Sequence, residues 1–453
     1  MDLSAFAYGR REHGQTILLV ALSMTALLAM AAISIDVVTL YVARGEAQHS
    51  AEAAALAGAK AFVTSGYTSY PTGFGNTSAL CSGTGSGLAE LQAQAAAIQN
   101  NIAGVVPAIV WAGSSCNFTQ PENPRITIQV QRTSLPLFFA KIWNVAAPTV
   151  TATATAEAYN PSGGPVPIQV SGVKPWLVPD CPPNSAAPPP TNPNCATPYF
   201  VNVTDGSIAN SGSFIGQQIT LTLGSGGPLT GPAAPLPNGS TLTFYPLVIP
   251  IDPPTAQCPS GNQFGCNNSP GPYYNNISCF NPTPLACGET ITNPSSPPTI
   301  AVDDRIYTGF LKRRTEQGTQ CLIHAGGLGV GQGQDIFPTP PVAAGQPVLI
   351  QPGVNNPDPS LASAANISRS DSVVTVPLFD GSQLCPPGGG GTNCAGTTTV
   401  VGFLQLGVIG SATNGTVDAI ILNAAGCNSA SSGTAVSGGG VSPIPVRLVR
   451  PGG

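Results

Sequence analysis

The sequence predicts an α+β protein. A long N-terminal helix spans a membrane and continues as a stalk carrying a small α/β domain. A β-rich, loop-rich, disulfide-containing region follows. Three observations predict this. An uncharged apolar run of helical length stands near the N-terminus, alternating apolar segments of strand length recur after it, and the composition is short of charge and rich in turn formers. Charged residues make up 8% of the 453 residues, where an ordinary globular domain has roughly 25%. Gly (53) and Pro (47) together fill about a fifth of the chain, yet 42% hydrophobic residues leave enough to build cores, a balance that favours β structure with long loops.

The helix comes first. Gly14 to Ile35 carries no charge, and about 22 residues at ~1.5 Å rise cover roughly 33 Å, enough to cross a hydrocarbon core. Arg10 and Arg11 precede it, so the positive-inside rule keeps residues 1–14 cytoplasmic and exports the rest. Ala29-Met30-Ala31 also fits a signal-peptide cleavage site. Helical composition does not stop there, however. It runs on through Asp36, Tyr41 and Arg44 to Lys60, with no Pro and only isolated Gly, which favours a retained anchor over 15–35. Asp36 falls at the membrane edge, solvated in the interface or paired within an assembly.

Residues 36–160 form the stalk and small domain. Leu88, Leu91, Ala95, Ile98 and Ile102 recur at helical spacing and define one apolar helix face. Arg125 to Arg132 alternates, with Ile126, Ile128 and Val130 on the inward side, and Thr149 to Ala158 alternates likewise, with Val150, Ala152, Ala154, Ala156 and Ala158 inward. Leu135 to Trp143 between them is a short apolar helix opened by Pro136. Residues 161–180 are a Pro/Gly linker, and 181–453 is the β-rich region. Its strands are placed at Ile219–Leu223, Thr241–Tyr245, Val373–Val376, Val400–Ile409 and Val417–Leu422. The intervening stretches 181–198, 253–298 and 385–397 are longer than ordinary loops.

Arg10-Arg11-Glu12-His13-Gly14-Gln15, the apolar run, Asp36, Tyr41 to Arg44 and the Ala-rich segment Gln48 to Ala59 together resemble the N-terminal segment of TadE/TadG-like Flp pilus-assembly proteins. The order strand, Phe138-Phe139-Ala140 turn, Ala/Thr strand extends the resemblance over residues 10–160. It implies a pseudopilin-type anchor with a pilin-like domain. The implied partners are other pilin or Tad-system membrane proteins and the lipid bilayer, with cell wall or surface glycans as further surfaces and no nucleic acid. The implied place is the inner membrane as a single span, with the bulk of the chain in the periplasm or at the cell surface. Pilin-type processing after Gly14 would put Leu19 where such precursors carry Glu. Cleavage after Gly14 or near Ala31 therefore stays open, as does the choice between filament subunit and assembly factor.

No residues are assigned to catalysis, to a cofactor or to a metal. Many relatives of this type carry a D-x-S-x-S cation motif. Asp205-Gly-Ser207 and Asp380-Gly-Ser382 stop short of it, at Ala209 and Leu384, and read as turns. Gly326 to Asp335 fits no nucleotide or calcium loop. His324 beside Cys321 reads as an exposed polar residue beside a disulfide half, Asp303-Asp304 as a solvated turn, and Lys312-Arg313-Arg314 as a solvated face. The net charge of −5 and 15 Lys+Arg give no basic footprint for nucleic acid. The twelve cysteines all follow the apolar run without C-x-x-C spacing, which points to disulfides in an oxidising compartment. Cys181/Cys195, Cys258/Cys266, Cys279/Cys287 and Cys385/Cys394 look like neighbours closing short loops. The alternative to a structural and assembly role is an adhesin or glycan binder using Tyr199, Phe200, Phe244, Tyr245, Tyr273 and Tyr274. Exposed clustering of these aromatics would favour binding, and dispersed burial a structural domain.

Overall fold

In the computed structural model, residues 13–450 are described except 71–73, 76, 181–198, 210, 224–238, 251–265, 267–270, 293–300, 303–308, 326–334, 339–341, 343–345, 359–360, 362–363, 381–396, 413 and 438–441. The α+β expectation holds: a long apolar helix leads into a β-rich region with several disulfides.

Helix α1 runs unbroken from His13 to Thr64. Its first half projects free of the fold and its second half is core. Ala43, Ala47, Ala51, Ala54, Ala55, Ala59 and Phe62 are buried at successive i+3 and i+4 positions, the spacing of one helix face. Helix α2 (Leu88–Ile98) packs against it. The expected α2 face is corrected here. Leu88 and Ile102 are buried as expected, but Leu91, Ala95 and Ile98 are exposed, and Ala89, Ala93 and Ala97 are buried in their place. Small side chains let the two helices approach closely, and a Cβ on Gly58 would stand 3.0 Å from the Ala89 carbonyl oxygen. Strands β1 (Ala108–Ile109), β2 (Ser115–Asn117), β3 (Arg125–Arg132) and β4 (Val150–Ala158) form the sheet beneath α1. Antiparallel register sets Ile126 opposite Ala156, Ile128 opposite Ala154 and Val130 opposite Ala152. All six side chains are buried as the alternation predicts. The expected helix over 135–143 is a loop with one 3-10 turn, Ala140–Trp143.

The next segment is structured rather than a free linker: β5 (Ile168–Val170) and β6 (Trp176–Pro179) lie within 161–180. There follow α3 (Ser211–Phe214), β7 (Gln218–Leu223), β8 (Ser240–Val248), α4 (Pro272–Ser278), β9 (Leu285–Ala286), β10 (Thr290–Thr292), β11 (Ala301–Val302) and α5 (Gly309–Leu322). After α5 come β12 (Asp335–Ile336), β13 (Gln351–Pro352), β14 (Val373–Phe379), β15 (Thr397–Ala412), β16 (Thr416–Gly426), β17 (Val436–Ser437) and β18 (Val446–Val449). The strands expected near 219, 241, 373, 400 and 417 are β7, β8, β14, β15 and β16. Part of the stretch 253–298, expected as loop, is α4, β9 and β10. Helix α5 has no counterpart among the sequence expectations.

Pairings run β8–β6–β14–β15–β16–β7 and back to β8, so six strands close a ring. β6–β14 and β7–β8 are parallel and the other contacts antiparallel. Closure leaves these strands without an open edge. Trp176, Phe244, Tyr245, Phe379 and Phe403 are buried in one large apolar core around these strands. A second layer covers the outer face, where Phe337, Val348, Ile350 and Ile367 pack on Val373, Ile409, Ile420 and Leu422. The Phe337 ring crosses Gly407 so closely that a Cβ there would lie 2.2 Å from it. Strand β18 returns to the first unit and pairs with β4.

The disulfides correct the short-loop pairing. Cys266 joins Cys321, Cys287 joins Cys427 across 140 residues, and Cys81 joins Cys116. Cys287 follows β9, which pairs with β5, and Cys427 follows β16 of the closed sheet, so the bridge ties the small β17–β5–β9 sheet to the barrel. This forecloses Cys258/Cys266 and Cys279/Cys287. The pairs proposed for Cys181/Cys195 and Cys385/Cys394 lie outside the described residues.

Candidate functional site

The feature that stands apart from ordinary globular packing is the free half of α1. Its large apolar side chains from Ile17 to Val38 are exposed on every face, whereas a core helix would bury one stripe. Among the described residues it is the one helix long and apolar enough to cross a membrane. Ser23 and Thr25 return their hydroxyls to the carbonyls of Val20 and Ala21 at 2.9 and 2.7 Å, which hides those polar groups within the helix.

Asp36 interrupts this surface. It is neither solvated nor waiting for another subunit. Its carboxylate accepts the backbone N–H groups of Phe138 (2.7 Å), Phe139 (3.0 Å) and Ala140 (2.6 Å). These donors open the 3-10 turn Ala140–Trp143 and would otherwise lack partners, as at any helix start. A carboxylate there is favoured by both charge and hydrogen bonding. Sequence reasoning singled out Asp36 and missed its role, because backbone donors leave no side-chain signature.

The remaining sequence candidates do not converge. Cys321 is a disulfide half, as expected. His324 is half-buried rather than exposed. Its Nε2 lies 3.4 Å from Asp371, and that hydrogen bond holds the Asp371 carboxyl below its usual range. Asp205 accepts both the N–H and the hydroxyl of Ser207, at 2.9 and 2.7 Å, as a turn residue does. Lys312 and Arg313 are exposed on α5, and the Arg314 guanidinium lies 4.8 Å from the Phe310 ring centroid. Asp303, Asp304 and Gly326 to Gln334 lie outside the described residues. Asp335 is buried and accepts from the Gly353 N–H and the Asn356 amide. No three His, Cys, Asp or Glu side chains gather at metal-binding distance among the described residues.

Two buried groups escaped the sequence reading. Asp180 and Asp380 follow β6 and β14, neighbouring parallel strands. Asp180 accepts the N–H groups of Phe200 (2.9 Å) and Val201 (3.1 Å), and burial pushes its carboxyl up to about 7. Lys174 donates to the Cys279 carbonyl at 2.9 Å, and burial pushes its ammonium down to about 7. Both sit where adjoining loops meet the barrel.

Comparison with known families places the N-terminal helix. Residues 14–61 match the family model described as Flp pilus-assembly TadE/G-like. The N-terminal helix is TadE/G-like. The match covers the free half of α1, Asp36 and the alanine face that binds the small domain, but stops before β1. No family model matches the C-terminal region. No curated protein and no solved structure matches the chain. The TadE/G-like helix therefore joins two surfaces, one exposed and apolar, the other buried against the fold.

Proposed function

We propose that this chain is a membrane-anchored structural component of a Flp/Tad-type pilus or secretion system that works by protein–protein packing rather than by catalysis. The exposed, uncharged first half of the TadE/G-like helix carries the reading. It crosses the cytoplasmic membrane once, with the N-terminal segment inside and the α/β unit and barrel outside. Disulfides in both units suit an oxidising compartment. The partners are other pilin-type or Tad-system membrane proteins, whose helices pack against the small residues of α1.

The glycan-binding alternative loses its main support. Tyr199, Phe200, Phe244, Tyr245, Tyr273 and Tyr274 are all buried, and Tyr273 spends its hydroxyl on Thr315 at 2.9 Å. They are core residues rather than a sugar platform. N-terminal sequencing and intact mass of the protein from membrane and sheared-surface fractions test the proposal. A full-length chain retained with the inner membrane is expected. A soluble chain beginning near Ala32 would overturn the anchor, and a chain beginning at Gln15 in the sheared fraction would make the protein a filament subunit.

A further inference from the structure

We propose that the loop between β3 and β4 is a second membrane contact, a wedge that enters the headgroup layer of the leaflet where α1 emerges. The inference rests on the anchor reading above.

The loop is fixed from both sides. Leu135 is buried, and its N–H is bonded to the Pro148 carbonyl at 3.0 Å. Asp36 takes three further N–H groups at 2.6–3.0 Å. Asn144, at φ 58°, turns the chain back, and the Val145 N–H reaches the Ala140 carbonyl at 3.3 Å. Seven backbone N–H groups between Leu135 and Val145 thus find partners within the protein, which suits a segment entering a lipid environment. The apolar side chains instead face out: Phe138 is 61% exposed, Ile142 74% and Val145 51%. A fixed loop whose turn is tied down by hydrogen bonds while it presents Phe, Ile and Val outward has a surface suited to an apolar medium.

Its position selects the bilayer as that medium. Asp36 stands twenty residues after Thr16 on one unbroken helix, and about 20 residues at ~1.5 Å rise cover roughly 30 Å, the thickness of the hydrocarbon core. The clamp therefore holds the loop beside α1 at the level where the helix leaves the lipid. Exposed Tyr41 lies at the same end, the depth that aromatic residues favour. Exposed Lys141 sits between Phe138 and Ile142, where a long cationic chain extends to lipid phosphates. One tethered helix leaves the attached domain free to tilt, whereas a helix plus a wedge fixes its orientation.

The test places one environment-sensitive fluorescent amino acid at Leu28, Ile142 or Val354 of the full chain in liposomes containing quencher-bearing lipids. Loss of emission is expected at Leu28 and Ile142 and not at exposed Val354. Quenching at Leu28 without quenching at Ile142 would overturn the wedge and leave the anchor standing. No quenching at either position would remove the anchor and the wedge together. Protection of Ile142 that grows with protein-to-lipid ratio, without lipid quenching, would mean that a second copy covers the loop, and would also overturn the proposal.

Discussion

Single residues carry two electrostatic decisions in this molecule. Asp36 remains charged because three N–H donors replace its water. Asp180 has only two, both on one oxygen, and its Oδ2 is buried with no hydrogen-bond partner. Burial, joined by the nearby Asp380 charge, raises its carboxyl from 3.8 to about 7. Between those values the folded chain keeps a proton that the unfolded chain releases, so this contribution is full below the unfolded value and is lost as pH rises through the folded one. Three units correspond to roughly 4 kcal/mol at most. Asp180→Asn keeps the acceptor and cannot ionise. Denaturant unfolding at pH 4.5 and pH 8 should show the variant gaining roughly 3 kcal/mol relative to the parent between the two. An equal pH response in both proteins would mean that Asp180 is ionised in the fold. Neither role was legible in the sequence, because Asp36 and Asp180 are both met by backbone groups that only the tertiary fold delivers.

Elements were legible where large apolar side chains set the period and obscure where small or polar ones did. Strand β3 follows its alternation, whereas β4 follows it only over Ala152 to Ala154, since Thr155 and Glu157 beyond them are buried together with the alanines. Helix α2 follows its Leu and Ile only in part: Leu88 and Ile102 are buried as expected, but close approach to α1 demanded Ala89, Ala93 and Ala97 at the contact and left Leu91 and Ile98 outside. Helix α5 was hidden in the same way. Its inner face is Leu311, Thr315, Thr319 and Leu322, and two threonines mask the apolar period that Lys312 to Arg314 already obscures. Strand β6 was concealed by its Pro and Gly flanks. The α1–α2 contact yields a paired prediction. At Gly58 an added Cβ would lie 2.8 Å from Ile126 Cδ1 and 3.0 Å from the Ala89 carbonyl oxygen. Gly58→Val should therefore cost about 2 kcal/mol through overpacking. Gly45 lies on the same helix with nothing within 4 Å of its Cβ position, so Gly45→Ala should gain about 0.5–1 kcal/mol from helix propensity. Thermal unfolding of both variants checks the opposite signs, and a stabilising Gly58→Val would contradict the close crossing.

At the scale of the whole molecule, the stalk and the barrel are joined by more than chain continuity. Long-range pairings such as Cys287–Cys427 and β18 on β4 could not be read from spacing, since only the tertiary fold decides which distant residues meet. The densest junction is Asn423 on β16. Its side-chain oxygen accepts the hydroxyls of Thr68 and Ser69, each at 3.0 Å, and its amide donates to Gln405 at 3.1 Å and to the Val63 carbonyl at the end of α1. The Asn160 amide reaches the Thr68 carbonyl at 2.9 Å, and Ser69 exchanges hydrogen bonds with the Ala424 backbone. All of these side chains are buried, where a satisfied network is strong and a broken one costly. Under the anchor reading proposed above, a helix fixed in a membrane would transmit load to the barrel without a hinge. Asn423→Ala strands several of these groups at once and should cost about 3 kcal/mol. Calorimetry of the parent should show the two units unfolding in one transition, which the variant lowers or divides. Two transitions already present in the parent would mean that the units fold independently and that the stalk does not carry force into the barrel.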